Sequence, residues 1–269
     1  MIEGILLLLL SLIFLSIGSL SSVLIYRLPM MEIEINGINL FFPRSHCPEC
    51  KKDISLFFLM PLIGFLVQRG RCKKCKKPIS KLYFFNEIIH LSAGLALFYY
   101  FGISIFFFVT YLLFFIFYIL FILDYKLFYL PLYLNLSVAV VGFFANSVFN
   151  LYTKNISEIF GITSFMYSLI GFCIGYLSLW IVNFFYKTMY KKDGIGGGDF
   201  ILFGGIGTII GPLALAPVLF IGSLSAILII STQPNKFKRE IPLGSGLILG
   251  LFIFISLKYF ELFENILVI

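Results

Sequence analysis

Charged residues divide the chain into six uninterrupted apolar runs, at positions 4–26, 88–123, 127–153, 159–186, 200–235 and 241–257. About 20 apolar residues rising 1.5 Å each cover a hydrocarbon core of ~30 Å, so every run is long enough, or nearly so, to cross a bilayer as a helix. Two runs, 88–123 and 200–235, hold 36 residues each, which as single helices would reach about 54 Å, nearly twice that thickness. Each is therefore expected to be a hairpin. The first breaks at Gly102 and Ser104, the second at Gly211–Pro212 with Pro217 beyond, where proline removes a backbone donor. The pattern predicts an all-α polytopic membrane helix bundle of about eight transmembrane helices. Its expected parts are a first transmembrane helix at 1–26, a polar loop at 27–82 and a helical bundle at 83–269.

Composition agrees with this reading: 60% of residues are hydrophobic, 12% are charged and the mean hydropathy is +1.04, which excludes an ordinary soluble domain. The basic residues are segregated. Eighteen of the 20 lie in the loop 27–82, at Lys126, at Lys187, Lys191 and Lys192, and at Lys236, Lys238 and Arg239, all on one side of an eight-span chain. Only Lys154 and Lys258 fall on the other side. The positive-inside rule makes the first side cytosolic and puts the N-terminus outside. The net charge of +7 then reflects topology and membrane lipid, with no need for a nucleic-acid partner. The run 4–26 follows Glu3 with no basic residue ahead of it and is longer than a signal peptide's apolar core, so it is expected to remain as the first span.

Four of the five cysteines form Cys47-Pro48-Glu49-Cys50 and Cys72-Lys73-Lys74-Cys75, two CxxC pairs separated by 21 residues within the basic loop. This is the spacing of a four-thiolate zinc ribbon, with two knuckles offering four sulfurs to one tetrahedral ion. A reducing cytosol disfavours the alternative of two disulfides. A site with no open coordination position is structural, and a loop too short and polar to build a large core needs such a staple. Cys173, inside an apolar run, reads as a small buried apolar residue.

Ionisable residues at membrane depth are costly and few. Asp124 ends the third expected span and Asp199 opens the sixth, after the glycine-rich Gly194-Ile195-Gly196-Gly197-Gly198. The alternation of spans places both at the cytosolic boundary, where they can meet. Two carboxylates a few ångströms apart cannot both ionise and so share a proton, the arrangement aspartic proteolysis uses. Glycines before Asp199 would let a substrate backbone approach. On residue pattern alone an ion pathway or helix capping stands level with catalysis. Glu87 and His90, three residues apart on one helix face, read as a hydrogen-bonded structural pair, with Glu87 close enough to the boundary to touch the polar loop.

At this point the chain resembles the bacterial prepilin peptidases, or type IV leader peptidases. Gly18-Ser19 with Tyr26-Arg27-Leu28-Pro29 is similar to that family's opening motif, and the segment from Ser45 to Cys75 to its zinc loop. Ile79-Ser80 and Glu87 continue the match; Asp124 with Pro131, Gly196-Gly197-Gly198-Asp199, and Ile241-Pro242-Leu243-Gly244 complete it. The resemblance implies a helical membrane bundle in the bacterial inner membrane with its catalytic face in the cytosol. It implies catalytic Asp124 and Asp199, and structural zinc on Cys47, Cys50, Cys72 and Cys75. The implied substrates are type IV prepilins or pseudopilins, cut after a basic leader. It also implies N-methylation of the new amino terminus with S-adenosylmethionine.

The chain departs from that pattern at Ser22, Leu59-Met60, Leu132 and Ile201, where the family carries an asparagine, an asparagine-isoleucine pair, an acid and a lysine; these changes bear on methylation more than on proteolysis. The main rival reading is an ion- or proton-coupled transporter with a zinc-stapled cytosolic loop, which gives no reason for both acids to face one boundary. A presenilin-like protease does not suit the context of Asp124 or the cysteine loop, and a scaffold without catalysis does not need both acids.

Overall fold

The computed structural model describes residues 2–33, 37, 39–232 and 241–259. Among these the regular structure is helical: α1 (Ile2–Glu32), a 3₁₀ turn (Leu56–Leu59), α2 (Ile63–Val67), α3 (Lys81–Phe101), α4 (Ile105–Leu127), α5 (Leu132–Phe149), α6 (Lys154–Ile159), α7 (Ser164–Tyr190), α8 (Gly197–Ile210), α9 (Leu215–Thr232) and α10 (Leu243–Tyr259). The chain forms two compact units, Met1–Phe115 and Ile116–Ile269, with the division inside α4. Five helices, α1, α3, α4, α5 and α7, are long and apolar enough to cross a membrane. The helices α8, α9 and α10 are apolar but shorter, so length supports five of the eight expected spans. Lys236, Lys238 and Arg239 lie outside the described residues.

The breaks fall where the sequence places them. The helix α3 stops at Gly102, whose φ of 57° admits glycine readily, and α4 begins three residues later. Gly211, at φ 78°, ends α8 ahead of Pro212. α1 runs on past the charge-free segment through Pro29 to Glu32. There Arg27, mostly buried, donates to the carbonyls of Asn39 (2.7 Å) and Pro43 (2.6 Å), which tie the loop back to the helix end. Cys173 is exposed on α7, contrary to the buried position expected, because a membrane helix turns much of its apolar surface toward lipid and a thiol is at home there.

In the first unit α1 and α3 pack closely. A Cβ on Gly18 would strike the backbone of Glu87, and one on Gly94 would strike the ring of Phe14; Phe14 in turn packs with Phe107 and Tyr111. Small residues that let helix backbones approach are how membrane helices gain contact without a hydrophobic driving force between them. The second unit uses the same device at its centre. α8 is buried almost throughout from Phe200 to Ile209. Gly171 of α7 and Gly207 of α8 meet backbone to backbone, each leaving no room for a Cβ on the other. Gly222 of α9 does the same against Gly246 and Gly250 of α10. Buried Asn146 laces this core by donating to Ser168 Oγ (2.9 Å) and the Thr208 carbonyl (2.7 Å).

Candidate active site and metal centre

The second unit brings Asp124 and Asp199 together at the first turn of α10. Asp124 occupies the last turn of α4 and is 4% exposed. Its Oδ2 accepts two bonds from one residue, the N–H of Ser245 at 2.5 Å and the Ser245 hydroxyl at 2.7 Å. Gly244, next in the chain, is tight for a side chain: a Cβ there would sit 2.8 Å from a Leu130 methyl, which would have to move, and 3.2 Å from the Asp124 carboxyl carbon and Oδ2.

Asp199 lies in the first turn of α8, where its own N–H donates to the Gly196 carbonyl at 3.1 Å. The Gly196 and Gly244 backbones lie close to its carboxylate, as does the charge of Asp124. Adjacent residues of α10 therefore lie beside both acids. Oδ1 of Asp199 is buried and has no hydrogen-bond partner.

Two asparagines hold the backbone that presents Asp199. Asn135 of α5 donates to the Gly198 carbonyl at 3.1 Å, while Leu130 occupies the space a Gly198 side chain would need. Asn183 of α7 clamps the glycine segment: its Oδ1 accepts from the N–H groups of Gly194 (2.8 Å) and Ile195 (3.0 Å), and its Nδ2 donates to Asp193 (3.0 Å). Lys187 adds an ion pair to Asp193 at 3.0 Å. These bonds, from Lys187 first and then Asn183, hold the Asp193 carboxyl below its ordinary value. Neither Asn135, Asn183 nor Ser245 stands out in the sequence; their signal is a lone polar residue within or beside an apolar run.

The first unit holds the cysteines. The two CxxC segments fold as near copies. Cys47 N–H donates to Lys52 O and Lys51 N–H to Cys47 O; Cys72 N–H donates to Lys77 O and Lys76 N–H to Cys72 O, all at 2.9–3.0 Å. Lys51 and Lys76, each just after its second cysteine, have left-handed φ of 55° and 61°. The four sulfurs lie within 4.8 Å of one another, and Cys47 and Cys75 Sγ are 3.8 Å apart. Four sulfurs at 2.3 Å from a tetrahedral ion would be separated by ~3.8 Å, whereas a disulfide needs ~2.05 Å. The cysteines are free thiols, and the cluster could hold a metal ion. The N–H groups of Cys75 and Lys74 bring the Cys72 thiol down to about 6. Cys75, despite its bond from the Lys77 backbone, is pushed up to about 11 by burial and the neighbouring sulfurs, so the thiols favour one ionised member when no metal is bound.

Glu87 of α3 also reaches the loop. Its Oε2 accepts from the N–H of Leu62, the residue just before α2, at 2.7 Å. Ser22 Oγ accepts from Asn86 Nδ2 at 2.8 Å, and His90 Nδ1 meets the Asn86 carbonyl at 2.8 Å.

Membrane-length helices, two carboxylates close to one helix end and a four-thiolate cluster define a polytopic membrane protein with two neighbouring buried acids and a loop that could hold a metal ion. Comparison with known proteins makes the family specific. Residues 12–101 match the bacterial peptidase A24 N-terminal domain and residues 111–231 the type IV leader peptidase family. A prepilin leader peptidase/N-methyltransferase of Legionella pneumophila is 32% identical over 261 residues, 87% of each chain. One from Vibrio cholerae is 30% identical over 264 residues, 95% of this chain and 99% of its own, and one from Klebsiella pneumoniae is 32% identical over 79% of this chain and 88% of its own. The chain belongs to the type IV leader peptidase family. No solved structure matches it.

Proposed function

We propose that this protein is a prepilin leader peptidase, an aspartic endopeptidase that removes the basic leader from type IV prepilin or pseudopilin precursors, with Asp124 and Asp199 as its catalytic pair. The observation that carries the reading is that Ser245 binds Asp124 while its neighbour Gly244 lies against Asp124 and beside Asp199, in a chain whose relatives bear that name. In the reaction one carboxylate takes a proton from water as the water oxygen bonds to the scissile carbonyl carbon, while the other, protonated, gives its proton to the carbonyl oxygen. Collapse of the resulting gem-diol breaks the C–N bond. The first acid returns its proton to the leaving nitrogen and the second recovers one from a gem-diol hydroxyl, so the pair is restored.

In the same reading the segment 27–82 is a zinc-binding loop stapled by Cys47, Cys50, Cys72 and Cys75, with 1–26 as its membrane anchor and 83–269 as the peptidase bundle. The distribution of Lys and Arg orients the chain with eight spans, the N-terminus outside and the loop and acids at the cytosolic face, bathed by lipid and without a nucleic-acid partner. The relatives' names support a second activity, N-methylation of the new amino terminus from S-adenosylmethionine. Co-expression with a pilin-like precursor tests both. The precursor should shorten at its leader, and mass spectrometry of the new terminus should show one added methyl group. A precursor of unchanged length in the presence of stably inserted protein would refute the peptidase.

A further inference from the structure

We infer that Ser245 is a positioning residue of the peptidase site: by donating both its N–H and its hydroxyl to Asp124 Oδ2, it reserves that oxygen as an acceptor and leaves Oδ1 to exchange protons with water. The inference rests on the peptidase reading of the two acids.

Ser245 is fully buried and Asp124 nearly so, so these bonds face little competition from solvent. The hydroxyl has one proton and two acceptors in reach, Asp124 Oδ2 at 2.7 Å and the Phe121 carbonyl at 3.2 Å. The shorter contact to a carboxylate takes it. With the backbone N–H fixed and the hydroxyl donating, both lone pairs of Oδ2 are occupied, and a proton there would have to turn the hydroxyl away to the longer Phe121 contact. A proton that Asp124 acquires therefore goes to Oδ1.

Asp199 differs. Its Oδ1 is buried without a donor, an environment that suits a neutral carboxyl better than a second bare charge. Two fixed donors on Asp124 Oδ2 favour its ionised form, and the bare, buried Oδ1 of Asp199, despite the Gly196 and Gly244 backbones beside that carboxylate, favours the neutral one; this divides the roles. Asp124 starts ionised and takes the proton of water through Oδ1, and Asp199 starts with the shared proton and passes it to the scissile carbonyl oxygen. When the C–N bond breaks, Asp124 Oδ1 gives its proton to the leaving nitrogen and Asp199 regains one from the gem-diol, as the balance of the reaction requires. Ser245 touches no reacting atom and acts through Asp124.

The test uses the full-length protein in detergent with a synthetic peptide spanning a prepilin leader junction. Ser245→Ala removes the hydroxyl and keeps the N–H. Ser245→Cys keeps the volume and offers only a weak donor. Both should lower kcat about tenfold, the effect of losing one bond to a charged group, with KM within about twofold and an unchanged melting temperature. A kcat within twofold of the parent for Ser245→Ala, or its full recovery in Ser245→Cys, would overturn the inference, the second because packing alone would then explain the residue. Asp124→Ala, measured in parallel, separates the two levels. If it still cleaves, the peptidase reading itself fails, whereas an inactive Asp124→Ala beside a fully active Ser245→Ala refutes the positioning role alone.

Discussion

A carboxylate at the edge of an apolar bundle is kept only where its surroundings give it work or partners, and the residues around Asp199 serve mainly to present it. Asn183 shows how. It is mostly buried and satisfies two backbone N–H groups of the glycine segment at once, so Asn183→Ala should leave both without acceptors and loosen the approach to Asp199. A loss of ~1–3 kcal/mol is expected in local opening, read as faster amide exchange at Gly194 and Ile195. The neighbouring Asp193 adds a pH dependence. Its carboxyl is held below the ordinary 3.8 by Lys187 and Asn183, so its contribution is fully present above that value and fades as pH falls through the lowered one. Protection of Gly194 and Ile195 should accordingly be flat at neutral pH and weaken only in acid, and should lose that acid step in Asp193→Asn. At this scale the sequence exposes the acids and the cysteines, because charges and paired thiols in such a context are rare. It hides Ser245, Asn135 and Asn183, because a single hydroxyl or amide in an apolar run ordinarily bonds within its own helix, as Ser223 and Ser225 do to carbonyls four residues back.

Helices here are positioned by close backbone approach, and the crossing of α7 and α8 is the tightest that bears on the site. Gly171→Ala would drive a methyl into the Gly207 carbonyl, displacing the helix that carries Asp199; a loss of ~1–3 kcal/mol, as in other overpacked cores, should appear as a lower melting temperature in detergent. The loop depends on its metal in the same structural sense. About one zinc ion per chain should copurify, and Cys47→Ser with Cys72→Ser should lose the metal and open residues 45–80 to protease. Metal analysis that finds no zinc in the intact protein would retire this staple. The hairpin breaks at Gly102 and at Gly211–Pro212 are legible because glycine and proline act on the backbone locally. The extension of α1 to Glu32, the short α6 and the exposure of Cys173 are not, since each is decided by what the helix end or face meets in three dimensions.

The whole molecule must also be threaded through the membrane in one sense for a leader held in the cytosol to reach the acids. With Cys173 and the loop cysteines removed, Asn155→Cys, exposed on the surface of α6, should react with a membrane-impermeant thiol reagent from outside intact cells. Lys191→Cys, in the turn after α7, should react only after permeabilisation; the reverse pattern would invert the proposed orientation. Phe263, a second position expected on the outer side after the eighth span, lies outside the described residues. The central claim is that Asp124 and Asp199 act as one unit, and the rate of leader cleavage by Asp124→Ala, Asp199→Ala and the double variant tests it most directly. Each single change should reduce the rate by about a thousandfold or more, and the double should fall no further than either, since residues that share one proton fail together. A single variant that still cleaves at the parental rate, or two partial losses that multiply in the double, would contradict the paired-acid mechanism.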